Sequence, residues 1–293
     1  MTTDEDTASD SEWLHPPAVA VREVVQRAVA EDLLPLGDLT GTLLGVQSVN
    51  ARFVARSSGR LAGTRCAAEA YAQVDPQVAV RWEVTEGAEV SPGETLGTVT
   101  GPLRSVVTAE RTALNFLGHL SGVATLTARY VAAAALGGDA HIWDTRKTIP
   151  GLRSVEKAAV RAGGGRNHRG NLSDWLLIKD NHLGGISITE AVTLARDRWP
   201  GRTVHVECDT LEQVVEAVAA NADALLLDNM EPDLVVSCVE VARGSGNAAA
   251  PLLEVSGGID LDTVAAYSGT GVDQISVGAI TNSAPVLDIG LDL

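Results

Sequence analysis

The spacing of apolar residues changes along this chain, and each change predicts a different kind of element. Over 21–33, "VREVVQRAVAEDL" repeats apolar residues at the spacing of a helix face. "ARFVAR", "GRLAG", "VAVRWEV" and "ETLGTVTG" are short β-like runs divided by glycine and proline, with the helical "CAAEAYAQV" among them. Residues 13–103 therefore read as a compact α+β unit. The Ala- and Leu-rich stretch 105–135 is helical in composition but is interrupted at Gly118 and Gly122, which predicts a pair of helices and a domain junction.

From residue 140 a rhythm sets in. "HIWDTRK", "WLLIKDNH", "TVHVECD", "ALLLDNM", "LLEVSGG" and "QISVGA" read as short strands, and "SVEKAAVRA", "SITEAVTLARDRW", "TLEQVVEAVAA", "DLVVSCVEVA" and "DLDTVAAY" as the helices between them. Such βα units need right-handed crossovers and hence a parallel sheet. The near-continuous apolar runs fit strands buried on both faces. Each ends in polar residues or glycine: Asp144, Lys179, Glu207, Asp228, Ser256–Gly258 and Gly278. Chemistry at the carboxyl ends of parallel strands is the habit of α/β barrels. An open doubly wound sheet is the alternative, but no G-x-G-x-x-G follows the first strand. Six units are fewer than the usual eight, so the expectation is an incomplete barrel.

Charge sharpens the picture. The chain has a formal net charge of −16 and only 3% aromatic residues, which argues against nucleic-acid and membrane-surface partners. Residues 144–182 invert that balance, with eight Lys or Arg against four acids, which points to a small anion. Cys66, Cys208 and Cys238 have no metal or disulfide spacing and fit a reducing, cytoplasmic setting. Residues 1–12, rich in acids and lacking bases, read as a solvated, disordered tail.

Within that basic stretch, Arg146 and Lys147 sit at a strand end ahead of the turn Pro150–Gly151, as in an anion clamp rather than an ordinary solvated loop. "GGGRNHRG", Gly163–Gly170, lacks the G-K-[ST] of a phosphate loop and reads as a flexible turn or hinge that aims His168 and Arg169 at a ligand. Lys179 fits a Schiff-base nucleophile, a substrate cation, or a structural partner of Asp144 or Asp228. Glu207 and Asp228 suit Mg²⁺ or ion pairing with the lysines. "EVSGGI" and "SVGAI" fit a phosphate cradle.

The run "DTRKTIPGLRSVEKAAVRAGGGRNHRGNLSDWLLIKDNH", followed by "VHVECDTLEQV", "LLLDNM", "LEVSGGI" and "ISVGAITNSAPVLDIGLDL", resembles the quinolinate phosphoribosyltransferase family. "EDLLPLGDLT", "GRLAG" and "TAERTALNFLGHLSG" resemble its N-terminal part in the same order. The resemblance implies an α/β chain: an N-terminal α+β sandwich domain over 13–117, then an incomplete six- or seven-stranded α/β barrel over 118–284. It further implies that the tail 285–293 packs on the first domain. The implied reaction joins quinolinate to 5-phosphoribosyl-1-pyrophosphate with Mg²⁺, giving nicotinate mononucleotide, pyrophosphate and CO₂ for NAD synthesis, in a homodimer.

By the same resemblance, Arg111 (from the neighbouring subunit), Arg146, His168, Arg169 and Lys179 face the quinolinate carboxylates. Lys147 and Lys179 neutralise the pyrophosphate side. Glu207 and Asp228 hold Mg²⁺ or ribose hydroxyls, and Ser256, Gly257, Gly258 and Gly278 cradle the 5′-phosphate. Asn171 and Ile149 depart from the family's usual Gly and Thr. The rival readings are a Schiff-base lyase using Lys179, a related phosphoribosyltransferase for another acid, and a non-catalytic anion binder.

Overall fold

The computed structural model describes residues 12–45, 47–244 and 250–293. Of the expected acidic tail, residues 1–11 lie outside the described residues; Glu12 is described and is ion-paired with Arg65. In chain order the main elements are α1 (Ala18–Leu33), β1 (Ser48–Ala55), β2 (Gly59–Arg60), α2 (Thr64–Val74), β3 (Ala79–Trp82), β4 (Glu89–Val90), β5 (Thr95–Pro102) and α3 (Leu103–Ala134). Then follow β6 (His141–Trp143), α4 (Arg153–Ala162), β7 (Leu176–Ile178), α5 (Asp180–Leu183), α6 (Ile188–Arg198), β8 (Val204–Cys208), α7 (Leu211–Ala219) and β9 (Ala224–Asp228). The chain ends with α8 (Pro232–Gly244), β10 (Leu252–Ser256), α9 (Val264–Ser268), β11 (Gln274–Ser276), α10 (Ala279–Asn282) and β12 (Ile289–Asp292).

Two compact units result. The first takes the chain up to Ala128 together with Lys147–Gly164 and Ala279–Leu293. Its antiparallel sheet runs β12-β1-β5-β3, so the C-terminal strand closes one edge beside β1. Alternation along β1 buries Ala51 and Phe53; Phe53 stacks on Trp82 at 5.0 Å and meets Tyr71 of α2 edge-on at 6.0 Å. A register shift after Phe53 turns Val54 inward as well.

The pair of helices expected over 105–135 is one helix, α3, of 32 residues. Gly118 and Gly122 do not break it because they serve a neighbour. A Cβ at Gly122 would collide with the Pro285 carbonyl, and Gly118 accepts a 2.9 Å hydrogen bond from the Leu287 amide. Each glycine costs about 1 kcal/mol of helix propensity, and tight seating of 285–287 offsets it. Although α3 is long, no described helix is long and apolar enough to cross a membrane.

The second unit, Arg129–Arg146 with Gly165–Gly278, holds a six-stranded parallel sheet ordered β6-β11-β10-β9-β8-β7. The first strand thus lies beside the last, as in a barrel, and the opening falls between β6 and β7. The two faces differ: one is buried throughout, the other only in part. One face carries Ile142, Val206, Cys208, Leu225, Leu227, Leu253, Val255 and Ile275 in register, all buried. Each such side chain contributes about 2 kcal/mol through removal from water. The opposite face carries Trp143, His205, Glu207, Leu226, Asp228, Glu254, Ser256 and Ser276, so the runs that look evenly apolar hide a polar inner face. The three cysteines are free and buried, and burial pushes the thiols of Cys66 and Cys208 up to about 12.

Candidate active site

The polar face gathers its chemistry at the carboxyl ends of the strands. After β6, the buried Asp144 accepts 2.8 Å and 2.7 Å hydrogen bonds from the His168 amide and the Asn167 side chain. Arg166 forms a parallel bridge with Trp143, donating its amide to the Ile142 carbonyl at 2.8 Å and accepting from the Asp144 amide at 3.1 Å. The flexible turn expected at "GGGRNHRG" is therefore pinned on its second half, filling the open side of β6. Its glycines have separate reasons. A Cβ on Gly163 would strike Thr127 and the Ala124 carbonyl of α3, and Gly164 has φ of +85°. Asp144, occupied in this way, is not the partner of Lys179.

Pinning the segment fixes His168 inside the unit, where it is only 7% exposed. Its Nε2 lies 3.1 Å from Glu254 Oε2, and His205 Nε2 approaches the same oxygen at 3.5 Å. Trp175 meets the His168 ring edge-on at 4.9 Å. Burial pushes the Glu254 carboxyl upward, but the His168 hydrogen bond and the charges of His205 and His168 outweigh it and leave it below its ordinary value. Burial moves His205 the other way, down, against the pull of Glu254. Arg169 is buried too; its desolvation and the nearby Arg146 lower its affinity for the proton, while Asp174, Glu254 and Glu207 oppose them.

At the rim, Lys179 is ion-paired with Glu207 across β7 and β8. Glu207 is nonetheless pushed above its ordinary value: burial leads, Asp228 and Asp209 add to it, and Lys179 only partly offsets them. Asp228 accepts a 2.7 Å hydrogen bond from Asn229, whose own backbone is left-handed at φ 53° and whose amide donates to the Ser256 carbonyl at 2.9 Å. Gly257 and Gly258 follow with φ of +96° and +62°, and a Cβ on Gly257 would run into Asn229. The helix after this turn begins only at Val264, whereas Gly278 directly precedes α10.

Arg146, His168, Arg169, Lys179, Glu207, Asp228, Ser256, Gly257, Gly258 and Gly278 thus belong to one unit. Lys147 and Arg111 belong to the other. There the Lys147 carbonyl accepts from Thr281 Oγ1 at 2.8 Å, and the buried Glu156, 2.8 Å from His119 Nε2, accepts from the Ile149 amide at 3.1 Å. Arg111 lines a cavity of about 410 Å³ with Glu31, Asp32, Asn115 and His119. Among the described residues, the three-donor group close enough for a metal ion is His168, His205 and Glu254, not one built on Glu207 and Asp228.

Two family models match, described as quinolinate phosphoribosyl transferase, N-terminal domain, over residues 38–121 and C-terminal domain over residues 123–292. The chain belongs to the quinolinate phosphoribosyltransferase family. It is 42% identical over 279 residues to the nicotinate-nucleotide pyrophosphorylase [carboxylating] of Mycobacterium leprae, covering 94% of this chain and 97% of that one. It is 37% identical to quinolinate phosphoribosyltransferase [decarboxylating] 1 of Nicotiana glauca, covering 94% and 83%. The solved nicotinate-nucleotide pyrophosphorylase of Francisella tularensis superposes with a TM-score of 0.88 at 39% identity, covering 94% and 96%.

The two departures from the family's usual residues disturb little. Asn171 caps its own turn by accepting from the Ser173 amide at 2.7 Å, and Ile149 is held through its backbone. Sequence reasoning missed His205, Glu254 and Asn229. His205 and Glu254 each stand two residues before a residue that was found, Glu207 and Ser256, so period-two alternation along the strands carried the signal.

Proposed function

We propose that this chain joins quinolinate to 5-phosphoribosyl-1-pyrophosphate and decarboxylates the product, yielding nicotinate mononucleotide, pyrophosphate and CO₂ in NAD synthesis. The observation that carries the reading is the convergence of Arg146, Arg169, His168 and Lys179 on the polar end of one parallel sheet in a chain of net charge −16. Two adjacent carboxylates and a polyphosphate are a load of negative charge that calls for such a cluster in a partly dry site. Arg146, His168 and Arg169 would meet the carboxylates, with Arg111 supplied by the partner of a homodimer. Lys147 and Lys179 would face the pyrophosphate, and Ser256, Gly257, Gly258 and Gly278 the 5′-phosphate. The exposed Leu34, Leu36, Leu39 and Leu43 in the first unit support a partner surface.

The ring nitrogen of quinolinate attacks the anomeric carbon as the bond to pyrophosphate breaks. The resulting positive nitrogen stabilises the electron pair left on the adjacent ring carbon when its carboxylate departs as CO₂, and that carbon then uses the pair to take up a proton. Positioning and electrostatics suffice; no covalent enzyme intermediate is required. Glu207 and Asp228 are two mutually repelling carboxylates at the rim, and Glu207 is raised partly by Asp228, which fits a shared divalent cation. Glu207 and Asp228 would hold Mg²⁺ there, and it would supply positive charge to offset the leaving pyrophosphate.

Lys179 engaged by Glu207 supports a charge carrier over a Schiff-base nucleophile, which needs a desolvated, unpaired amine. The three thiols that remain free support a cytoplasmic location. Purified protein incubated with both substrates and Mg²⁺ should release CO₂ and nicotinate mononucleotide in equal amounts. Turnover should fall on the order of 100-fold in Lys147→Ala and Arg169→Ala that remain folded. Wild-type turnover in either variant would refute the assignment. Mixing Arg111→Ala with Lys147→Ala chains should restore part of the activity, and no rescue would argue against a shared site.

A further inference from the structure

Glu254 is hard to explain as packing. It sits in mid-strand, 1% exposed, and its in-register neighbour on β9 is the buried Leu226, so an apolar side chain fits that layer of the sheet. Replacing a whole buried ionic group by apolar residues is often neutral or stabilising, so a carboxylate and two imidazoles kept together there suggest work beyond packing. Two imidazoles approach a single oxygen, Oε2, at 3.1 Å and 3.5 Å, Ser276 also favours the anion, and Oε1 has no hydrogen-bond partner. An ionised carboxylate only accepts, so the His168 Nε2, at hydrogen-bond distance, carries its proton toward it, while the His205 Nε2 packs against the same oxygen without a hydrogen bond.

We propose that Glu254, braced by His205, is a positioning residue for His168, fixing the imidazole as the cation that meets one carboxylate of the substrate. This rests on the reading of His168 as a quinolinate-facing residue. The groups around His168 come from four places. Asp144 at the end of β6 holds the His168 backbone, Glu254 on β10 takes its Nε2 proton, and His205 on β8 braces Glu254. Trp175 closes the ring edge. Glu254 and His205 face the imidazole, Asp144 holds the His168 backbone amide, and Arg169 acts electrostatically on both His205 and Glu254. That guanidinium also argues against a metal ion among the three donors, since a dication would meet a like charge.

Two opposite effects follow. Removing the carboxylate in Glu254→Gln should move the His168 titration midpoint down by about one pH unit, because the group that favours the imidazolium is gone. Removing the competing imidazole in His205→Asn should move it up or leave it in place, since Glu254 is then His168's alone. In turnover, Glu254→Gln should raise KM for quinolinate about tenfold near neutral pH, with KM for the ribosyl donor unchanged. Glu254→Asp should recover part of that loss.

The deciding experiment follows the imidazole resonances of the full-length protein by NMR as pH is varied. His168 is assigned among the six histidines with a His168→Gln chain. A His168 midpoint equal in wild type and Glu254→Gln overturns the proposal, whether or not the protein turns over quinolinate. A protein that shows the shift but has no activity leaves the proposal standing and refutes the functional reading instead. If Glu254→Gln does not fold, His205→Asn decides: a midpoint that falls by a unit there contradicts the assigned brace. One equivalent of divalent metal, present in purified wild type and lost in Glu254→Gln, would also overturn it.

Discussion

Glu207 and Glu254 occupy the same face of one parallel sheet, with β9 between their strands, yet they are driven in opposite directions. Glu254 is almost wholly buried and still lies below the ordinary carboxylate range, because two imidazoles converge on one of its oxygens. Glu207 is half-buried, has a lysine in contact, and lies above that range, because burial is joined by repulsion from Asp228 and Asp209. Depth alone therefore does not set the charge state; the sign and number of neighbours do. The inner carboxylate is stabilised as an anion and suits a fixed role. The rim carboxylate is poorly satisfied and suits a role completed by an arriving cation.

The sharpest way to break this contrast is to truncate each in turn. Glu254→Ala strands two buried imidazoles and should cost about 3–5 kcal/mol in unfolding free energy. Glu207→Ala removes a carboxylate that burial and repulsion already disfavour, so it should leave the unfolding free energy within about 1 kcal/mol of wild type while removing most of the turnover. Denaturant titration of both variants reads the difference, and equal losses would remove the distinction. Gly257→Ala comes next. At φ +96° beside Asn229 it should cost about 1–2 kcal/mol and raise KM for the ribosyl donor more than KM for quinolinate.

The smallest effect is in pH. Glu254, with its value lowered on folding, contributes stability that is present above the ordinary carboxylate range and is lost as pH falls through its folded value. Glu207, raised on folding, does the reverse: stability falls as pH rises from the ordinary value through the raised one. In Glu207→Gln that acidic-range decline should disappear, while the loss at still lower pH remains. A Glu207→Gln curve parallel to wild type throughout would show that the rim carboxylate is not strained.

What the sequence revealed and concealed follows the reach of each interaction. The six strands of the second unit and the polar residues at their ends were legible because period, turn residues and local charge are short-range signals. The single helix α3 was not, since the reason for Gly118 and Gly122 lies in 285–287, far along the chain. His168 was found by its cationic neighbours, but Glu254 stands 86 residues away in sequence and reaches it only through the strand order β8-β9-β10. Its carboxylate was hidden inside "LLEVS", which reads as an apolar run unless alternate positions are counted separately.

The central claim is that a cation cluster on the inner face of this sheet is built for two adjacent carboxylates. Calorimetric titration of the wild-type protein with quinolinate, and separately with nicotinate, which lacks one of the two, tests it most directly. Quinolinate should bind at least about tenfold more tightly, and the preference should shrink in Arg169→Ala as the fork that meets the second carboxylate is lost. Equal affinity for the two acids, or an Arg169→Ala protein with undiminished preference, would contradict the account.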